Sequence, residues 1–234
     1  MQKETLLGEY SKLISDTTLL STLILLQKEY QSNSVFPEKE NVFKAFKSCP
    51  YKDLKVVILG QDPYPQKGYA TGLAFANPDN GLVMSTSLQL IYERLFKDYP
   101  YNDYGELPFD IGYGFGFDRT LESWAKQGVL LLNSSLTVIE NKIGSHSNIW
   151  YPFIKELLTN LSEINCGIIY LLFGNEAKVF KSFINTNSNY VLEYYPPAYF
   201  ARNNKEFECD GFIKTNQILK QNNNLKINWN GENV

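Results

Sequence analysis

The sequence predicts an α/β fold: three layers, α/β/α, around a central, mainly parallel four-stranded sheet. Four short apolar runs, KVVIL (55–59), VLLL (129–132), IIYLLF (168–173) and the weaker YVL (190–192), each end in glycine or polar residues. Their two-sided hydrophobicity suits strands buried on both faces better than half-exposed alternating strands. Stretches of helical spacing lie between them, and alternation of strand with helix is the pattern of a parallel sheet.

Taken in order, Leu6, Leu7, Tyr10, Leu13 and Ile14 mark an N-terminal helix. The apolar stretch 19–26 is interrupted by Ser21 and Thr22 and is far short of the roughly 20 residues a membrane span needs. It also lacks the charge layout and cleavage site of a signal peptide, so a soluble, cytoplasmic protein without membrane contact is expected. After the first strand, Leu88, Ile91, Tyr92 and Leu95 fall at helical spacing, and Thr86 with Gln89 fits a capping box. Residues 97–118 form a Tyr/Gly-rich stretch too long for an ordinary connection. It reads as a surface loop packed by its own aromatics, with a partner- or DNA-contacting flap as the alternative. Helical patterns then recur at 118–127, at 150–164 through Phe153, Ile154, Leu157, Leu158 and Leu161, at 177–184 and at 212–221. The Asn-rich end, 221–234, reads as loosely ordered.

Length and composition bound the function. The 234 residues suit one domain, 1–234. With 44% hydrophobic and 20% charged residues the chain can bury a sizeable core. Lys plus Arg is 22 against 25 for Asp plus Glu, a net charge of −3, so the overall basic charge usual in nucleic-acid binders is absent. Cys49, Cys166 and Cys209 are far apart with no C-x-x-C pair, and His146 is the sole histidine. No structural zinc, disulfide framework, metal or other cofactor is expected from that set.

In open α/β sheets ligands bind beyond the carboxyl ends of the strands, so the informative residues follow the four runs: GQDPYP from Gly60, NSS from Asn133, Gly174 with Asn175, and YYPPAY from Tyr194. Asp62, at a strand end before a proline-rigid turn, can be partly desolvated and held at a fixed angle. It suits a general base or a stabiliser of developing positive charge, with a plain turn residue as the alternative. Asn133, Tyr64 and Phe75 are the types that read the edge and faces of a flat heterocycle, although each singly also fits core or loop packing.

Together, VVILGQDPYP, GLAF, WAKQGVLLLN with SLTV, LLFG and KTN resemble the family 1 uracil-DNA glycosylases. VFPEKENVFKAF and INW resemble that family's lead-in and closing segments, so the likeness runs from about Val35 to Trp229. It implies an enzyme that flips deoxyuridine out of single- or double-stranded DNA and hydrolyses the N-glycosidic bond. A base inside a duplex must be extruded before chemistry can reach it. By position, the resemblance has Asp62 orienting the attacking water, Gln61 giving backbone contacts to the base, and Tyr64 standing where a 5-methyl group would go. Phe75 would stack on the ring, Asn133 would hydrogen-bond the O4 and N3 edge, and Ser87 would grip phosphate.

The last motif departs from the family's H-P-S-P-L-S. Here it reads YPPAYF, from Tyr195 to Phe200. Tyr195 falls on the histidine that bonds uracil O2, and a neutral phenol is still a donor. Pro197 falls on a phosphate-gripping serine, and Tyr199 or Phe200 on the leucine that fills the vacated stack. Asn175 takes another phosphate-contacting serine's position, where an amide can donate, and Pro65 stands where the family has histidine. His146 resembles the family's own S-H segment ahead of a helix, a structural role. Lys67, Lys178, Lys181, Arg202, Lys205 and Lys214 would supply a positive, salt-sensitive DNA face or are ordinary solvated cations. Without a histidine in the site, no inflection near pH 6.5 is expected. The resemblance also admits a DNA-mimicking inhibitor protein as partner to a monomeric enzyme. Two alternatives stand: a weakened or inactive homologue that binds DNA or a replication partner, and a glycosylase of altered base choice.

Overall fold

The four apolar runs pair as a parallel sheet. In the computed structural model, which describes residues 3–99 and 117–230, the strands are β1 (Val35–Phe36), β2 (Val56–Gly60), β3 (Val129–Asn133), β4 (Val138–Ile139), β5 (Ile169–Phe173) and β6 (Tyr190–Tyr194). The helices are α1 (Lys3–Leu7), α2 (Asp16–Ser32), α3 (Lys44–Ser48), α4 (Thr86–Asp98), α5 (Glu122–Lys126), α6 (Ser147–Ile164), α7 (Asn175–Lys178), α8 (Pro197–Arg202) and α9 (Gly211–Gln221). The main sheet has the order β3-β2-β5-β6, all parallel, with helices flanking it. This is the α/β arrangement the four runs predict. Every residue of β2, β3 and β5 is buried, whereas β6, on the edge, is partly exposed, which explains its weaker apolar signal. The Tyr/Gly-rich stretch lies, but for its ends, outside the described residues.

The structure corrects the sequence reading at several elements. The N-terminal helix is short: α1 stops before Gly8, at φ 55°, and a 3-10 turn, Gly8–Leu13, carries the chain on, still burying Leu6, Leu7, Tyr10 and Leu13. The apolar stretch 19–26 lies in α2, which Ser15 caps by accepting from the Thr18 amide. Leu20, Ile24 and Leu25 on its outer side are exposed, so its apolar residues show no clean helical stripe. No helix among the described residues is long and apolar enough to cross a membrane. At α4 the cap is Ser85, whose hydroxyl accepts from the Leu88 amide at 3.3 Å, and Thr86 is already helical. The helix expected over 118–127 shortens to α5 because the Asp118 carboxylate accepts from the amides of Thr120 and Ser123 and holds a turn there. Likewise the 177–184 pattern splits into α7 and a 3-10 turn, Val179–Phe183.

Residues 221–230 are better fixed than their composition suggests, and 231–234 lie outside the described residues. Ile227 and Trp229 are buried. Asn216 exchanges two hydrogen bonds with the Ile227 backbone, and Trp124 Nε1 donates to the Trp229 carbonyl at 2.9 Å. Two apolar residues and these bonds offset the ordering cost of the polar run.

Candidate active site

The carboxyl ends of β2, β3 and β5 open onto a cavity of about 380 Å³. Its lining includes Gln61, Asp62, Tyr64, Phe75, Ser87 and Asn133, which sequence reasoning selected one by one. The register explains why they meet: Gly60 lies opposite Asn133, and pairing continues past the strand ends. The Ser134 amide donates to the Gly60 carbonyl, and both the Ser135 amide and the Ser134 hydroxyl donate to the Gln61 carbonyl. Asp62 and Asn133 therefore leave adjacent strands at a fixed spacing.

Gly60 has a packing reason to be glycine. A Cβ there would stand 2.5 Å from Asn133 Oδ1 and 3.3 Å from Phe75 Cζ, so the amide and the ring converge over bare backbone. Phe75 holds φ at 65°, the left-handed region that a bulky side chain rarely adopts. Its surroundings impose this: the Tyr64 hydroxyl donates to the Phe75 carbonyl at 2.9 Å, and the Phe75 ring meets Phe173 edge to face at 5.4 Å. Tyr64 is held in turn by Ser85, whose hydroxyl donates to the phenol at 2.8 Å. The capping serine of α4 thus also fixes one wall of the cavity. Backbone strain over-determined by neighbours is characteristic of binding sites.

Asp62 carries the unusual electrostatics. Its Oδ2 accepts from the Gly144 amide at 3.0 Å, whereas Oδ1 is buried without a protein partner. Burial pushes its pKa up to about 6, against the lowering effect of the Gly144 bond; the Glu176 charge raises it, and the nearby Gln61 and Ser135 side chains lower it. A carboxylate poised near neutrality with one free oxygen in a cavity suits holding water or accepting a proton. It also revises the expected pH profile, since a carboxylate, not a histidine, supplies a group near pH 6.

The last motif behaves differently. Pro196 caps α8 and Pro197 is its first residue, a position proline favours. The chain therefore turns into helix directly after Tyr195. Pro196, Pro197, Ala198, Ala201 and Arg202 line the cavity, but Tyr195 and Tyr199 do not. Tyr195 is 56% exposed and stacks on Tyr199, ring centroids 4.8 Å apart, with Lys178 Nζ 4.9 Å from the Tyr195 ring centre. The structure does not bring the Tyr195 ring to Asp62 and Asn133. Asn175 is exposed at the start of α7 and lies off the cavity lining.

Among the basic candidates, Arg202 lines the cavity, while Lys181 pairs with Glu193 at 2.5 Å and Lys214 with Asp210 at 2.8 Å. His146 is buried, 2.8 Å from Thr137 Oγ1 through Nδ1, and outside the cavity lining. Sequence reasoning missed Phe173, Thr71, Ile143 and the Gly144 amide as contributors; their strands and turns are visible in sequence, but their convergence on Asp62 is not.

Comparison with known proteins agrees with this geometry. Residues 46–220 match the uracil DNA glycosylase superfamily. The uracil-DNA glycosylase of Fusobacterium nucleatum is 39% identical over 209 residues, covering 89% of this chain and 87% of the relative. That of Mycoplasmopsis pulmonis is 38% identical over 208 residues, covering 88% of each. Among solved structures, a variant of mimivirus UNG in complex with UGI superimposes with a TM-score of 0.82 at 25% identity, covering 98% of this chain and 91% of that one. A cavity at three parallel strand ends, a buried aspartate within it whose pKa is pushed up, and relatives matching along most of the chain lead to one assignment: the protein belongs to the uracil-DNA glycosylase superfamily.

Proposed function

We propose that this protein is a uracil-DNA glycosylase that swings deoxyuridine out of DNA, hydrolyses the N-glycosidic bond and leaves an abasic site for base excision repair. The observation that carries this reading is the convergence of Asp62, Asn133, Phe75 and Tyr64 on one cavity, with Asp62 Oδ1 buried and unpartnered. Water held by Asp62 adds its oxygen to C1′ and gives its proton to the carboxylate as the glycosidic electron pair leaves with the base as its anion, and before that transfer the negative carboxylate stabilises the cationic sugar. The Asn133 amide offers a donor to uracil O4 and an acceptor to N3–H, a pattern cytosine does not match. Phe75 provides the stacking face. Tyr64, fixed at its hydroxyl by two hydrogen bonds, leaves no room for a 5-methyl group. Gln61 serves through its backbone, and Ser87 and Pro197, at the cavity, meet the phosphate chain with Arg202.

The altered YPPAYF motif has a consequence in this reading. With Tyr195 outside the cavity, no side chain of that motif donates to uracil O2, and loss of one such donor costs about 10²–10³-fold in rate. Turnover survives at that reduced level, because total enzymatic accelerations are far larger. Tyr195, Tyr199 and Asn175 belong instead to the DNA-contacting rim. One hydrophobic cluster runs from Leu6 to Trp229, which supports action as one domain, and we infer a cytoplasmic monomer. The mimivirus neighbour's complex with UGI supports a DNA-mimicking inhibitor protein as a partner for the same face.

The direct test is uracil release from a single-stranded oligonucleotide by wild type and by Asp62→Asn. Release by wild type alone supports the reading. If both are inert while the uracil-containing strand still binds, the protein is a binding homologue.

A further inference from the structure

The turn that presents the Gly144 amide to Asp62 is held from below by a buried histidine. His146 is 1% exposed and immediately precedes α6. Its Nδ1 lies 2.8 Å from Thr137 Oγ1 and its Nε2 3.4 Å from Glu29 Oε2 on α2. Trp150 Nε1 donates to Thr137 Oγ1 at 2.7 Å; because the Glu29 carboxylate at Nε2 only accepts, a neutral ring carries its proton on Nε2 and Nδ1 accepts from the threonine hydroxyl. The ring thereby ties the start of α6 to α2 and to the segment before β4. The turn itself is cross-braced: the Ile139 amide donates to Ser145 Oγ at 2.8 Å, the Ser147 hydroxyl donates to the Gly144 carbonyl at 3.0 Å, and the Asn141 amide donates to the Pro65 carbonyl. Gly144, at φ 78°, sits two residues from His146 and 3.0 Å from Asp62 Oδ2.

We propose that His146 is a positioning residue for Asp62, acting through the 139–147 turn to hold the Gly144 amide on the carboxylate. This rests on the reading of Asp62 as the acting carboxylate. The charged groups concerned are Glu176, which faces Asp62, and Glu29, which faces His146. An amide bonded to a carboxylate favours its ionised form, so loosening the turn raises the pH at which Asp62 ionises. A role confined to fold stability would not move that pH.

The test follows the Asp62 carboxyl carbon by 13C NMR titration, and uracil release between pH 5 and 8, in wild type and in His146→Ala. The expected midpoint moves up by about one pH unit from its value near 6. Release then falls about five-fold at pH 6 and recovers by pH 8, as the ionised fraction dictates. Glu29→Ala, which removes the partner of Nε2 without opening the core, is expected to shift both readouts in the same direction and decides the matter if His146→Ala fails to fold. An unmoved midpoint, or an equal loss at pH 6 and pH 8, overturns the proposal. If wild type releases no uracil, the glycosylase reading fails, while the titration still reads this one.

Discussion

Gly60 and Asn133 face each other as register partners at the ends of β2 and β3, so close that a single added methyl group would lie 2.5 Å from Asn133 Oδ1. The Asn133 amide is therefore positioned by the absence of a side chain on the neighbouring strand. Gly60→Ala is expected to displace Asn133 and the Phe75 ring, cutting uracil release about 10²-fold through misplacement. Overpacking should also cost about 1–3 kcal/mol of stability. Single-turnover kinetics and chemical denaturation measure the two effects; unchanged kinetics would show that Asn133 does not contact the base.

Asp62→Asn should exchange activity for stability. Burial holds the native pKa of Asp62 near 6 against an ordinary value of 3.8, so between these values the folded state binds more protons than the unfolded one. Wild-type stability from this group is fully present below pH 4 and is lost as pH rises to 6. The asparagine variant does not titrate and is expected to be more stable by about 1–3 kcal/mol above pH 6, with no advantage below pH 4. Denaturant midpoints at pH 4 and pH 7.5 check this.

The same group sets the pH dependence of turnover. Log kcat/KM should climb with unit slope through about pH 6 and then flatten. His146 is buried away from the cavity, and burial lowers its pKa. A second acid inflection near pH 6.5 in the profile would point to a further ionising group in the site.

Tyr64 should govern exclusion of the 5-methyl group. Its hydroxyl is pinned by the Phe75 carbonyl and Ser85, which makes the ring a fixed wall. Tyr64→Ala removes that wall and is expected to permit thymine release from oligonucleotides, with at least a tenfold fall in discrimination against thymine. Chromatography of the freed bases distinguishes the two products.

Tyr195→Phe is expected to change uracil release by less than about threefold, because the ring stands at the exposed rim, outside the cavity. Loss of an oxyanion donor would instead cost about 10²–10³-fold. A loss of that size on single-stranded substrate would mean that the loop closes and carries the phenol inward.

The buried runs of β2, β3 and β5 were legible because a strand covered on both faces needs near-continuous apolar sequence. Where those runs end, the fold opens, and that made Asp62, Asn133 and the GQDPY turn readable from order alone. Helix α2 was not legible: Leu20, Ile24 and Leu25 face outward and hide its stripe. Nor was the burial of Ile227 and Trp229, which depends on the distant residues Asn216 and Trp124 meeting them.

By itself the amino-acid order determined the sheet, the strand-end carboxylate and the types of side chain around it, since these follow from local hydrophobicity and turn chemistry. Only the tertiary structure decided that Asp62 ionises near pH 6, that Gly144 and the distant His146 lie behind it, and that Tyr195 turns outward. Burial, partner distance and helix direction are properties of three-dimensional neighbours, and residues 62 and 144 become neighbours only once the chain has folded.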